Sequence, residues 1–215
     1  MPNLAEQLFL LALDDDEGWI AAPALNNLRY GLAAALLADL TLHGRIVVED
    51  RRVRLIDATP VGDDELLDWT LQRLSGADKP LKVKHWINAL GFRKLPKQIA
   101  QRLVTRGVLR DEERRYSSLI PSVEYPQTDA SAKYWIKQEL RGAVLTATKR
   151  ERRSIVLLSL MQGCRLLNLV FTTDERRAAG KRVQELVQGE DFGDAVAQTL
   201  HDIEIAAASG GASTG

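Results

Sequence analysis

Apolar residues in the first forty positions recur at helical intervals, with one acidic break. The spacing predicts a helix over Leu4–Leu13, with Leu4, Leu8 and Leu11 on its apolar face. Asp14-Asp-Asp-Glu-Gly18 ends it; the run lacks the alternating Asp/Asn ligands of a calcium loop and reads as an acidic turn. A second helix is predicted from about Leu25 to Leu42, where Leu28, Leu32, Ala35, Leu36, Asp39 and Leu40 share one face and Gly44 supplies the stop. Arg45–Ile56 then reads as two short strands around an Asp-Arg turn. Asp63 is the predicted cap of a helix reaching Leu74, and Ser75–Pro80 links it to a short helix carrying Val83, Trp86, Ile87 and Leu90. Pro96 suits the first turn of the next helix, where a missing N–H leaves nothing unpaired, and Gly107 stops that helix after Arg106. Val108–Arg110 and Tyr116–Ile120 are predicted to form a second hairpin around a charged turn. Three or four further helices are expected near Asp129–Leu145, Glu151–Val170, Thr173–Val187 and Phe192–Ala207. The pattern describes a mainly α, single multi-helix domain over 1–207 with two or more small β-hairpins, and a flexible tail over 208–215.

One internal echo stands out. Leu40-x-x-x-Gly44 and Leu103-x-x-x-Gly107 each precede a hairpin, and Arg51-Arg52 and Arg114-Arg115 follow at the same distance. Both units are predicted as helix, glycine stop, strand, acidic turn, Arg-Arg, strand. Two copies fall short of a solenoid. Helix–Gly–hairpin is also the outline of a winged-helix module, so a nucleic-acid binder stands as a rival, although Gln98, Gln101 and Arg102 are few base-reading side chains.

Composition narrows the class. Apolar residues at 45% and charged residues at 27% suit a soluble domain. No apolar run approaches the roughly 20 residues that cross a bilayer, and Met1–Glu6 has no signal-peptide character. Cys164 is the single cysteine and is expected to be buried and inert; His43, His85 and His201 show no metal-ligand spacing. No metal or cofactor is expected. No nucleophile elbow, phosphate loop or dinucleotide fingerprint is present, so the chain is read as non-enzymatic.

Charge changes the picture most. The chain balances 29 basic against 29 acidic residues, yet 1–81 hold seven basic and fourteen acidic, and 82–115 hold ten basic and three acidic. Two readings follow: a partner surface, or pairing within the chain between the two stretches. Arg93, Lys94 and Lys97 flank a helix start, where the dipole disfavours cations unless an anion sits there. Lys79, Lys82 and Lys84 add to that field; simple solubility is the competing explanation. Arg102 and Arg106 fall in the last turns, where cations are favourable. Lys149-Arg-Glu-Arg-Arg153 opens a helix and repeats the misplaced-cation signal. In the second hairpin Arg114, Arg115, Tyr116, Leu119 and Ile120 combine basic and apolar character, which suits a headgroup layer, a self-association contact or a covered sheet edge.

These residues also resemble a known family. Leu8-Phe-Leu-Leu-Ala-Leu-Asp-Asp-Asp-Glu-Gly18, Gly31-Leu-x5-Ala-Asp-Leu-Thr-Leu-His-Gly-Arg-Ile46, Pro60-x-Gly-Asp-x-x-Leu-Leu-Asp68, Trp86-Ile87, Leu103-Val-x-x-Gly-Val-Leu109 and Arg152-Arg153 occur in the order of the Golgi phosphoprotein 3 family. The short loops resemble its bacterial branch. The resemblance implies a mostly α-helical domain without enzyme activity, attached peripherally to the cytoplasmic face of a membrane. Eukaryotic members bind phosphatidylinositol 4-phosphate on Golgi membranes and act as adaptors for glycosyltransferase tails. Their pocket tryptophan falls near Pro23 or Ala24, with Trp19 earlier in the loop. Their second-helix arginine falls at Ala33, with Arg29 one turn upstream. Two later arginines fall on Arg93 and Pro96, beside Lys94 and Lys97, and the membrane hairpin falls at about 113–125. The implied headgroup site is therefore Arg29, Arg93, Lys94, Lys97 and Trp19. The implied partners are an anionic phospholipid or phosphoinositide headgroup and a membrane surface. Protein clients and a homo-oligomer stay open, and no nucleic acid is expected.

Overall fold

Asn3 starts the first helix by a reciprocal cap: its side-chain oxygen accepts from Glu6 N, and the Glu6 carboxylate accepts from Asn3 N. The helix, α1 (Leu4–Ala12), is buried on every side rather than on one face. Its neighbours explain this, since α2 (Leu28–Leu42), α5 (Leu95–Thr105), α6 (Ser131–Leu145) and α7 (Arg152–Gly163) all pack on it. The remaining α-helices among the described residues are α3 (Glu65–Ser75), α4 (Val83–Leu90) and α8 (Arg176–Val187). This computed structural model describes residues 2–15, 18–25, 27–110, 112–114, 122–128, 131–146 and 151–187. One cluster of buried side chains runs from Leu4 to Val183.

α2 is the second central helix, and small residues set its distances. Gly31 faces Cys164 so closely that an added Cβ would lie 2.4 Å from its Sγ and 3.2 Å from Leu8 Cδ2. Gly31→Ala is expected to cost about 1–3 kcal/mol through overpacking. In a Cys164→Ala background the same change should cost distinctly less, a coupling that urea denaturation of the four proteins in the cycle measures.

The sheets are small. Strands β1 (Ile46–Glu49), β2 (Arg52–Leu55) and β3 (Leu81–Lys82) form one antiparallel sheet in that order, with Val48 opposite Val53. The expected Asp-Arg turn is present: Asp50 and Arg51 have φ of 50° and 58°, the left-handed pair of a tight hairpin. β4 (Glu112–Arg114) pairs with β5 (Ser122–Glu124) as a separate ladder. The protein is thus mainly α with two small antiparallel sheets among the described residues, as the pattern predicts.

Several expectations need correction. The strand order of the second hairpin is displaced: Glu112 and Glu113 lie in a strand, not in a turn, so the echo between the two units ends after the glycine stops at Gly44 and Gly107. Pairing continues from Leu109 opposite Gln127, which sets the register outward from there. α2 begins at Leu28, and Leu25 follows a 3-10 turn over Ala22–Ala24. Asp64, not Asp63, caps α3, accepting from Leu66 N and Leu67 N. The helix expected over Glu151–Val170 breaks after Gly163. Arg165 takes φ 59°, and the reversal buries Leu166, Val170 and Phe171. The expected helix over Phe192–Ala207, the tail, and Arg115, Tyr116, Leu119 and Ile120 lie outside the described residues.

Charge pairing holds the helices in register. Arg141 of α6 grips Glu175 with two bonds, 2.7 and 2.5 Å, and donates to Val170 O. Those bonds from Arg141, helped by Thr172 N, depress the Glu175 carboxyl from 4.5 to about 2. The folded group is the stronger acid, so its contribution is present above pH 4.5 and lost as pH falls toward about 2. Glu175→Gln should therefore lower stability at neutral pH, with the difference from wild type closing over that acid range in denaturation curves.

Candidate functional site

The basic stretch divides into two populations. Arg102 and Arg106 stand at the end of α5, as expected, but both also pair with buried carboxylates. Arg102 donates to Glu6 (3.2 Å) and Asp64 (2.8 Å), and Arg106 donates to Glu6 (2.8 Å). Glu6 is fully buried and Asp64 nearly so, and Asn3 Nδ2 joins them through Asp64 Oδ2 at 2.7 Å. This is the pairing within the chain that the charge segregation allowed. It also weakens the nucleic-acid rival, because Arg102 is held by two carboxylates and is not free to read a base.

Arg153 has a similar explanation. It donates to Asp39 at 2.8 Å and to Pro2 O at 3.0 Å, so the misplaced cation at the start of α7 is a structural partner. Asp39 is fully buried on α2 and also accepts from Leu4 N. Burial pushes its carboxyl above the ordinary value, against the opposing pull of Arg153. An acid inside an apolar helical series is the sequence sign that such a partner exists.

Arg93 belongs to the other population. It lies in the turn between α4 and α5, exposed, and its side chain has no hydrogen bond or ion pair among the described residues. Arg29 stands in the first turn of α2. It lies over the Tyr30 ring, 4.4 Å from the centroid, and donates to the Tyr30 hydroxyl. The two arginines line one open cavity of about 600 Å³ with Ile20, Leu25, Leu28 and Pro96. Among the described residues no carboxylate lines it. Helices α2 and α5 both begin here, and neither has a side-chain cap bond at its N-terminus. Two guanidiniums and two positive helix ends converge on one space, an arrangement that holds an anion.

The structure therefore brings Arg29 and Arg93 together. Lys94 and Lys97 are exposed beside the cavity but do not line it. Trp19 is half-buried and also absent from the lining, although its neighbour Ile20 is part of it. Lys79 lines a different cavity of about 190 Å³ beside Trp86. Arg114 lies in β4 opposite Ser122, whereas Arg115, Tyr116, Leu119 and Ile120 lie outside the described residues. Sequence reasoning missed the apolar rim of Ile20, Leu25 and Leu28. Leu25 is 64% exposed there. Asn27, a favoured N-cap residue type, is the sequence sign that α2 starts at Leu28 and leaves Leu25 outside it.

A groove of about 660 Å³ lies between α3 and α5. Its arginines, Arg102 and Arg106, are already neutralised by Glu6 and Asp64, and Asp63 and Glu65 line it as well. It repels an anion. Cys164 is buried, which pushes its thiol up to about 12, so it carries no thiolate at neutral pH. No described helix is long and apolar enough to cross a membrane.

The protein is a mainly helical domain with small antiparallel sheets. The chain belongs to the Golgi phosphoprotein 3 family (GPP34), whose model matches residues 4–203. It is similar to vacuolar protein sorting-associated protein 74 of Eremothecium gossypii, 27% identical over 226 aligned positions, covering 86% of this chain and 67% of that one. The protein of the same name in Schizosaccharomyces pombe is 25% identical over 168 positions, covering 67% of this chain and 48% of that one. The chain thus spans about two thirds of the first relative and about half of the second.

Proposed function

We propose that this protein is a non-enzymatic peripheral membrane protein that takes an anionic phospholipid headgroup between Arg29 and Arg93 and serves as an adaptor. The observation that carries the reading is the cavity itself: two guanidiniums, no lining carboxylate among the described residues, and Leu25 exposed at the rim. The headgroup phosphate meets the guanidiniums, and the apolar rim meets the lipid beneath it. Lys94 and Lys97 add attraction at longer range. Family membership and relatives named for protein sorting support the adaptor role. The site works from the cytoplasmic face, where anionic lipids concentrate.

The headgroup is a phosphate-bearing class that includes phosphatidylinositol 4-phosphate. Trp19 stands outside the cavity, and Ala33 stands at a pocket position that is arginine in the resemblance, so two guanidiniums do the work of recognition. Sedimentation with phosphatidylcholine vesicles, and with the same vesicles carrying phosphatidylserine or phosphatidylinositol 4-phosphate, tests this. Anionic vesicles should carry the protein down and neutral ones should not, with binding weakened by salt. Absence of binding to every vesicle at moderate salt would leave a soluble interaction module as the better description.

A further inference from the structure

The loop between α1 and α2 serves two structures at once. Midway along it, Ile20 forms part of the cavity wall. Two residues earlier, Gly18 lies flat against the base of the β4–β5 hairpin. Gly18 O accepts from Tyr125 N at 3.1 Å. A Cβ on Gly18 would lie 2.6 Å from the Tyr125 carbonyl carbon and 2.7 Å from Pro126 N, and φ at Gly18 is +75°. Only glycine satisfies both the close approach and the left-handed conformation.

Each end of this contact is anchored. Tyr125 is buried with its ring edge-on to Phe9 of α1, centroids 5.9 Å apart. Pro126 O accepts from Arg110 N at 2.9 Å, which ties the hairpin's incoming strand to its outgoing one. The loop is closed by the Leu13–Ile20 bridge, by Asp14 N to Trp19 O at 2.6 Å and by Ala21 N to Ala12 O at 2.8 Å. From α6, buried Lys133 donates to Leu13 O, and Lys133 and Lys137 both hold Asp15, at 2.5 and 2.6 Å.

We propose that this loop is a strut joining the cavity to the second hairpin, so that anion capture and hairpin placement are energetically coupled. The inference rests on the cavity reading above. An anion between Arg29 and Arg93 fixes the wall at Ile20; the Gly18–Tyr125 contact passes that order to the hairpin base. By linkage, a hairpin fixed on a surface raises the affinity of the cavity by the same factor.

The test uses the intact protein and the soluble headgroup inositol 1,4-bisphosphate, which removes direct insertion of the hairpin into lipid. Backbone hydrogen exchange is read at Ala21 for the loop and at Tyr125 and Arg110 for the hairpin base. The ligand should slow all three, and Arg93→Glu should abolish the slowing. Gly18→Ala should weaken binding about fivefold or more and release Tyr125 and Arg110 from the effect. The wild-type exchange pattern decides the matter even if that variant folds poorly. Slowing confined to Ala21, with Tyr125 and Arg110 unchanged, overturns the strut and leaves the cavity reading standing. No Arg93-dependent binding of the headgroup overturns the cavity reading and the coupling together.

Discussion

Replacing Glu6 with alanine is expected to cost about 3–5 kcal/mol of folding stability, the range for breaking a buried ion pair by removing one partner. The Glu6 side chain has no solvent exposure and accepts from Asn3 N, Arg102 and Arg106. Without it, Arg102 keeps only Asp64, and the capping box of α1 loses its return bond. Arg106 is 39% exposed and can turn to water, which places the expectation toward the lower end of the range. Urea denaturation should show a lower midpoint with an unchanged slope. A loss below about 1 kcal/mol would mean that the network behaves as a screened surface pair.

Reversing both cavity charges, Arg29→Glu with Arg93→Glu, should nearly abolish binding to anionic vesicles. Each cation near an anionic surface contributes about 1 kcal/mol. Reversal removes the attraction and adds an equal repulsion, so two sites change binding by about 4 kcal/mol, roughly a thousandfold. The control is Lys94→Glu with Lys97→Glu, which alters the net charge equally but outside the lining. If headgroup binding is local to the cavity, the lysine pair should have the smaller effect, and more of it should vanish in salt. Equal losses from the two pairs at all salt concentrations would describe a diffuse basic surface instead of a site.

Local chemistry made the helical frame legible. Gly44, Gly91 and Gly107 mark helix ends, Pro96 falls within the first turn of α5, and the Asp50–Arg51 turn sits where the change of period puts it. What stayed hidden depends on distance along the chain. Arg102 and Arg106 reach Glu6 across 96 and 100 residues, and nothing near them distinguishes an inward guanidinium from an outward one. The same separation hid the partner of Arg153, although Asp39 on an apolar face announced that one was needed. Of the site, Arg93 was recognisable as a cation at a helix start, and Arg29 only through the family resemblance. The rim was not, because Ile20 and Leu25 gain their meaning only when the loop folds against α2 and α5. β3 is two residues long, too short to show a strand period.

The enclosure of α1 sets an order for synthesis. Asp39 leaves the ribosome 114 residues ahead of the arginine that neutralises it. At roughly 5–20 residues per second that interval lasts about 6–23 s. Until it ends, a helix that finishes with no exposed side chain has only part of its covering, because α5 and α6 are made within it and α7 only after it. The element made earliest among them is sealed last, and the half-made chain between Asp39 and Arg153 is the stage at which this protein depends most on being shielded from its neighbours.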